Sequence, residues 1–352
     1  MTYGSSAKKL IRAVSAALAA LILLLSFASC STKIKPVTPD ESDLAVVGKV
    51  AGRDVCYDEL RYLVLNFKDE LADRYADLTP SSPDADKIRA ELRDLVVDAL
   101  TSSDYYAVTA MADEYYQGKS DAMLAEQKIA DAVAEEINEL ADDLGGKKAY
   151  FAELKANYMT DRLMRFYLSC EKCATELIYI LKNDFGLIPS EEAELKEAVL
   201  STAVVRTNHL YLKGLTEENR KKCEEARLEL IASGNRELEI NIIKTKYRDA
   251  DYTVTTSHGA YFSRYTSNYG EAYEKAAIAL SAGEVSEVVE GDEGYFVILR
   301  LPLEEDYVLR NFETIASDYI TSQFNIQLDE FRKQNKFEFN EYGGSLDLLA
   351  IE

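Results

Sequence analysis

The feature that most constrains the fold is an apolar run late in the chain, GYFVILRL at residues 294–301. A short run of this kind, with almost no polar residue to turn toward water, is typical of a central strand covered on both faces. Residues 204–212 predict a second strand, and residues 217–233 and 237–247 carry the apolar spacing of helices. A third short helix is predicted over 273–280. The sequence therefore predicts a small sheet flanked by helices.

Four short motifs follow one another in this region: TNHLYL at 207–212, SHGA at 257–260, GEVS at 283–286 and GYFV at 294–297. With these motifs in this order, residues 203–303 resemble a parvulin-type peptidyl-prolyl isomerase domain. The resemblance implies that the chain acts on proline-containing polypeptides. Rotation about an X-Pro bond crosses a barrier near 20 kcal/mol that arises from amide resonance, and no covalent bond is broken.

The resemblance also implies a set of site residues. His209 matches the histidine on the family's first strand, and Asp249 or Asp251 lies near its acidic position. The expected substrate-binding residues, which would hold the proline ring in an apolar pocket, are Phe262, Tyr269, Tyr273 and Phe296. No cofactor and no metal ligand is expected for this chemistry.

Two departures from the family pattern bear on catalysis. Phe296 stands where the family has a second histidine, which removes a hydrogen-bonding partner of His209. The family's GDLG signature reads SHGA here, so that His258 stands where an acid is usual. The sequence thus leaves two alternatives open, a weak isomerase or a proline-peptide groove without turnover.

The first 30 residues predict export. Lys8, Lys9 and Arg12 precede a mostly apolar stretch over residues 13–27, and Ala28 and Ser29 lead to Cys30. This pattern resembles a bacterial lipoprotein signal over residues 1–29, with lipidation at Cys30 and a linker over residues 30–43. An uncleaved membrane anchor is the alternative. Both interpretations place the rest of the chain outside the cytoplasm, attached to the membrane.

Helical patterns dominate from residue 55 to about residue 200, and one apolar stripe is formed by Ile88, Leu92, Leu95, Val96 and Ala99. The opening AVVGKVAGRDVCYDEL, read as a strand, a turn at 51–54 and a helix, resembles the start of the PrsA and SurA families of extracytoplasmic foldases. Ser190 is expected to cap a helix that starts near Pro189. A further amphipathic helix over 308–333, whose apolar face includes Leu309, is expected to pack on the N-terminal helices.

The predicted fold class is α+β. A mostly helical, SurA-N-like chaperone domain is formed from both chain ends, over residues 44–202 and 304–352. A parvulin-like domain over residues 203–303, with a small antiparallel sheet flanked by helices, is inserted into it.

Charge and cysteine content exclude other classes of protein. The formal net charge is -22, which argues against nucleic acid as a partner, because its phosphates need a basic surface. Cys170 and Cys173 form a CxxC, but both fall on the apolar stripe of one predicted helix, which favours buried structural thiols over a redox or metal site.

These observations together predict a membrane-anchored foldase that assists the folding of secreted proteins and isomerises X-Pro bonds. The expected partners are unfolded or partly folded secreted polypeptides, and nothing in the sequence specifies an oligomeric state. The alternative function is a non-catalytic holdase or assembly chaperone that uses a degenerate parvulin domain as a peptide-binding module.

Overall fold

The computed structural model describes residues 34–116, 122–247 and 258–352. The predicted lipidation site Cys30 and the predicted acidic residues Asp249 and Asp251 lie outside these ranges. No helix within them is long and apolar enough to span a bilayer. The chain divides into two compact units, unit 1 with residues 1–179 and 328–352, and unit 2 with residues 180–327.

The helices and strands are, in chain order, β1 (Val46–Val50), β2 (Arg53–Cys56), α1 (Tyr57–Leu71), α2 (Ala85–Thr101), α3 (Asp104–Tyr116), α4 (Ala122–Asp143), α5 (Lys147–Ala156), α6 (Asp161–Asn183), α7 (Glu192–Val199), β3 (Val204–Lys213), α8 (Glu217–Ala232), α9 (Arg236–Lys246), β4 (Ala260–Ser263), α10 (Glu271–Ala279), β5 (Val289–Glu290), β6 (Gly294–Leu301), α11 (Glu305–Arg310), α12 (Phe312–Arg332), β7 (Phe337–Phe339) and α13 (Glu341–Ser345). The mixture of many helices with two small antiparallel sheets confirms the predicted α+β class.

Unit 1 contains a three-stranded antiparallel sheet in the order β2-β1-β7. The sequence predicted a turn at 51–54 followed directly by a helix, and this was wrong in part, because residues 53–56 form β2. Only Ala51 and Gly52 make the turn, both with positive φ, at 48° and 81°. Such a tight two-residue turn matches the twist of the strands that it joins, so the hairpin can close immediately.

The core of unit 1 is built from the apolar faces of its helices. The stripe predicted over residues 88–99 lies on α2, and its five apolar residues are all buried. Cys170 and Cys173 are also buried on α6, and burial raises the pKa of the Cys173 thiol to about 11. A thiol with so high a pKa stays protonated at neutral pH, and the burial predicted for both cysteines is confirmed.

A buried ion pair joins two helix starts of unit 1. Asp58 in the first turn of α1 is fully buried and accepts hydrogen bonds from Arg162 Nε at 2.7 Å and from Arg162 Nη2. Thr160 Oγ1 donates a further bond to it at 2.7 Å. A buried carboxylate needs such partners, because an unpaired charge in the protein interior is strongly unfavourable.

Unit 2 contains a four-stranded antiparallel sheet in the order β4-β3-β6-β5. The sequence predicted β3 and β6, whereas β4 was missed. In the register of the two central strands, His209 lies opposite Ile298 and Tyr211 lies opposite Phe296. Because side chains alternate along a strand, the residues at 208, 210 and 212 face α8 and α9. Those at 205, 207, 209 and 211 lie on the other face of the sheet, which they share with Phe262 of β4 and which α10 covers.

Helix boundaries near the ends of unit 2 depart from the predictions. The helix predicted over 308–333 is interrupted at Asn311, and Leu309 is exposed rather than part of the apolar face. The first half of α12 packs within unit 2, where Ile315 and Tyr319 join a cluster with Val199, and the end of α12 packs within unit 1. At the start of α7 the N-cap is Glu191 without a side-chain hydrogen bond, so the cap predicted at Ser190 was wrong.

Candidate functional site

The candidate site is centred on His209, in the middle of β3. Its side chain is fully buried, and Nδ1 lies 2.9 Å from the hydroxyl of Tyr273 on α10. The same hydroxyl lies 2.8 Å from Oγ1 of Thr207, which points to the same face of the sheet two residues earlier. Nε2 of His209 finds no hydrogen-bond partner within the described ranges. The imidazole is therefore hydrogen-bonded through Nδ1, while its Nε2 is buried without such a partner in the described part of the chain.

Aromatic rings surround this imidazole edge to face. The ring centroids of Tyr269, Tyr273 and Phe296 lie 4.6, 5.2 and 5.5 Å from that of His209. Phe262 on β4 contacts Tyr273 in turn, at 6.1 Å between centroids. The sequence-predicted His209 and the four predicted substrate-binding residues thus lie in one cluster on one face of the sheet. Their roles in binding or catalysis stay predictions.

The environment holds His209 neutral. Burial lowers the pKa of His209 to about 3, and the positive charge of Lys244 acts in the same direction. Lys244 lies on the opposite side of β3, where its Nζ donates to Asn208 Oδ1 at 2.9 Å, and burial lowers its own pKa. A histidine with so low a pKa does not change charge between pH 5 and 8. It can act there only as a neutral hydrogen-bonding group.

The rings close the face that they line. His209 and Tyr273 are fully buried, and Phe262 and Phe296 are nearly so. Tyr269 is half-buried and is the outermost ring of the cluster. It lies on the loop between β4 and α10, whose backbone is held by Glu274 through the amide of Tyr265 at 2.7 Å and that of Ser267 at 3.1 Å. Of the four rings around His209, Tyr269 is therefore the most accessible to solvent.

The altered glycine turn lies at the edge of this site. Gly259 has a φ of 83°, and a Cβ there would meet the carbonyl oxygen of Thr207 closer than real Cβ atoms come. His258, just before it, lies away from His209: its Nδ1 is 2.8 Å from Glu304 Oε2, and its carbonyl accepts from Arg206 Nε at 2.7 Å. The SHGA sequence thus keeps the glycine on which β3–β4 packing depends and has, in place of the acid, a histidine that is hydrogen-bonded to Glu304.

Replacing Gly259 by Ala should therefore destabilise unit 2 by roughly 2–4 kcal/mol, because left-handed strain adds to a backbone collision. Gly283→Ala is the matched control, since its φ is 88° and nothing lies within 4 Å of the new Cβ. We expect a loss of about 1–2 kcal/mol for the control. Denaturant unfolding of both variants checks this, and equal losses would show that the contact with Thr207 is unimportant.

Sequence reasoning missed two residues that shape the site. Thr207 shares the strand face of His209 at the two-residue spacing, and this periodicity could have identified it. Lys244 could not be found in this way, because its effect on His209 depends on the packing of α9 against the other face of β3.

No family model and no curated protein matches the sequence. Among solved structures, the chain is similar to PrsA from Bacillus subtilis, with 18% identity over 83% of this chain and 91% of that one and a TM-score of 0.25. A peptidylprolyl isomerase (PrsA) from Bacillus anthracis gives 16% identity over 60% and 93%, with a TM-score of 0.30. A structure reported with the SurA-like chaperones of Campylobacter jejuni gives 16% over 81% and 94%, with a TM-score of 0.23. These are distant likenesses to the two groups that the sequence motifs resemble, and no function is carried from them to this chain.

Proposed function

We propose that the protein is an extracytoplasmic foldase, attached to the membrane through a lipid on Cys30, that binds unfolded secreted polypeptides and isomerises their X-Pro bonds. The observation that supports this best is a neutral, hydrogen-bonded His209 inside a ring of aromatic side chains on one sheet face. Aromatic rings offer a proline ring the apolar surface that it prefers.

The arrangement suits a reaction that breaks no bond. A planar X-Pro amide is more polar than the twisted amide at the top of the barrier, because resonance separates charge. An apolar, water-free site therefore disfavours the planar form relative to the twisted one, and this difference lowers the barrier. With Nδ1 engaged by Tyr273, Nε2 of His209 is the polar group left to contact the bound peptide.

Isomerase activity should depend on the Tyr273 hydroxyl and should not depend on pH between 5 and 8. Tyr273→Phe keeps the ring and removes the hydroxyl that joins Thr207 and His209. We expect kcat/KM for a short Ala-Pro peptide to fall about five- to tenfold, the worth of one buried hydrogen bond. Exchange NMR of the peptide with the full chain measures the rate.

Tyr295→Phe is the control, because Tyr295 lies on the same sheet but faces α8. It should leave the rate unchanged. A bell-shaped pH profile centred near 6.5 would contradict a buried neutral His209, and equal losses in the two variants would contradict a site on this face.

A second candidate function is a peptide-binding chaperone without turnover. Phe296 in the position of a second histidine and the closed ring cluster favour it. In that case the folded chain would not accelerate isomerisation but would still suppress the aggregation of an unfolded protein. Measuring both isomerisation and aggregation on the same protein sample therefore distinguishes the two candidate functions.

A further inference from the structure

A second polypeptide site is suggested by how unit 1 holds its own leading segment. Residues 34–39, Ile-Lys-Pro-Val-Thr-Pro, form neither helix nor strand, and we call them the strap. Ile34 is only 4% exposed and belongs to the hydrophobic core of unit 1. The residues at 35–38 are exposed, including Val37 at 47%. The strap is thus anchored by a single apolar side chain.

Two side chains of unit 1 bind the strap backbone. The amide of Ile34 donates to Asn138 Oδ1 on α4 at 2.7 Å, and the amide of Val37 donates to Asp161 Oδ2 at the start of α6 at 3.0 Å. Asp161 is itself buried, where it also accepts from the Tyr150 hydroxyl at 3.1 Å and from Arg165 Nε at 2.9 Å. Two acceptors that bind backbone amides three residues apart recognise the extended conformation of a peptide backbone, whatever the side chains of those two residues are.

The groove is larger than the strap needs. A cavity of about 400 Å³ lies between residues 37–43 on one side and α5 with the start of α6 on the other. Its apolar lining is provided by Phe151, Leu154 and Met159, and its polar lining includes Asp40, Asp43 and Lys155. This volume is in the range of pockets that bind whole ligands. A chain with bulkier side chains than the strap could fill it.

We infer that the groove between α4, α5 and α6 is a binding site for extended polypeptide segments in which a branched apolar residue stands two positions before a proline, as Ile34 and Val37 do in the strap, and that the strap occupies it as an internal competitor. This rests on the proposed function, binding of unfolded polypeptide, and assigns to it a site in unit 1. The strap serves as the example of the ligand. Its two prolines favour an extended conformation, and each proline also restricts the backbone of the residue before it to extended angles.

The competition has a physical basis in tethering. A segment joined to its site by a short stretch of chain acts at an effective concentration in the millimolar range. Free segments therefore displace it only when they bind more tightly or when several bind together. Weakening the anchor at Ile34 should open the groove without changing its walls.

The first test uses a peptide of residues 32–40 with Val37→Trp, whose fluorescence is read selectively because the chain contains no Trp. We expect the full chain with Ile34→Ser to bind this peptide at least tenfold more tightly than the unsubstituted chain. Val37→Ser is the matched control, because Val37 is also β-branched and belongs to the same strap but is exposed. This substitution should not increase the affinity for the peptide. Equal affinities in all three chains would overturn the proposal.

The second test needs no substitution, in case Ile34→Ser unfolds unit 1. Amide hydrogen exchange at Ile34 and Val37 of the intact chain should accelerate when a saturating unfolded polypeptide is added. If the client is bound and these amides stay protected, the groove proposal fails and the proposed function stands. If the peptide binds Ile34→Ser but no unfolded client is ever held, the groove stands and the proposed function fails. A strap-exchanged dimer, seen as a concentration-dependent mass, would assign the groove to a second copy and overturn the proposal.

Discussion

Replacing Asp58 by Ala should lower the free energy of unfolding of unit 1 by about 3–5 kcal/mol, which makes it one of the most damaging single changes in the chain. Asp58 is fully buried, and its removal leaves the guanidinium of Arg162, whose side chain is 25% exposed, without its carboxylate. Thr160 loses a hydrogen bond at the same time. Denaturant unfolding, followed by amide exchange in unit 1, measures the loss.

An exposed pair of the same unit provides the control. Arg53 Nη2 lies 2.6 Å from both carboxylate oxygens of Asp113, but their side chains are 41% and 66% exposed. Solvent screens such a pair, so Asp113→Ala should cost about 1 kcal/mol or less. Similar losses for Asp58→Ala and Asp113→Ala would show that burial does not set the strength of these pairs.

The two units should respond to pH in opposite directions. In unit 2, burial lowers the pKa of His209 from 6.5 to about 3, so the unfolded chain takes up a proton that the folded chain refuses. The stability contributed by a neutral His209 is complete above pH 6.5 and is lost as the pH falls toward 3. Between pH 7 and 5 this loss is about 2 kcal/mol.

In unit 1 the sign is reversed. Glu59 on α1 is buried and accepts from the Tyr106 hydroxyl at 2.7 Å, and burial raises the pKa of Glu59 to about 7 despite the opposing Tyr106 bond and Arg162 charge. The folded chain therefore keeps a proton that the unfolded chain releases above its ordinary pKa of 4.5. Stability from this group is complete below pH 4.5 and is lost as the pH rises through 7, by about 2 kcal/mol between pH 5 and 7.

Glu59→Gln and His209→Gln separate these effects from the many surface carboxylates, which are common to all three chains. Amide exchange resolved by unit should show the pH slope of unit 1 reduced only in Glu59→Gln and that of unit 2 reduced only in His209→Gln. Unit-resolved data are required because a chain with two compact units need not unfold in one step. Parallel slopes in all three chains would refute both assignments.

The sequence predicted the elements whose pattern is local. The apolar run of β6 and the stripe of α2 are visible without any partner, because burial repeats with the period of the element itself. The residues that the resemblance singled out, His209 with Phe262, Tyr269, Tyr273 and Phe296, lie close together, while the roles expected of them stay predictions.

Features that depend on distant partners were not predictable in this way. Strands β4 and β7 have four and three residues, too few to show a period, and exist because β3 and β1 pair with them. The partner of Asp58 is 104 residues away, and no sequence pattern distinguishes Arg162 from the other basic residues. The break at Asn311 is likewise invisible in the apolar spacing of that region.

The pairing of β1 with β7 sets an order for biosynthesis. β1 reaches its second neighbour only through residues near the end of the chain, and the bond from Asn340 Nδ2 to the carbonyl of Val46 spans 294 positions. Until those residues are synthesised, β1 therefore presents an open edge of the kind that promotes aggregation. Unit 2, whose strands are all contributed by residues 204–301, has every segment that it needs before β7 emerges. The second edge of β1 is therefore covered only once residues 337–339 have been synthesised, long after unit 2 can fold.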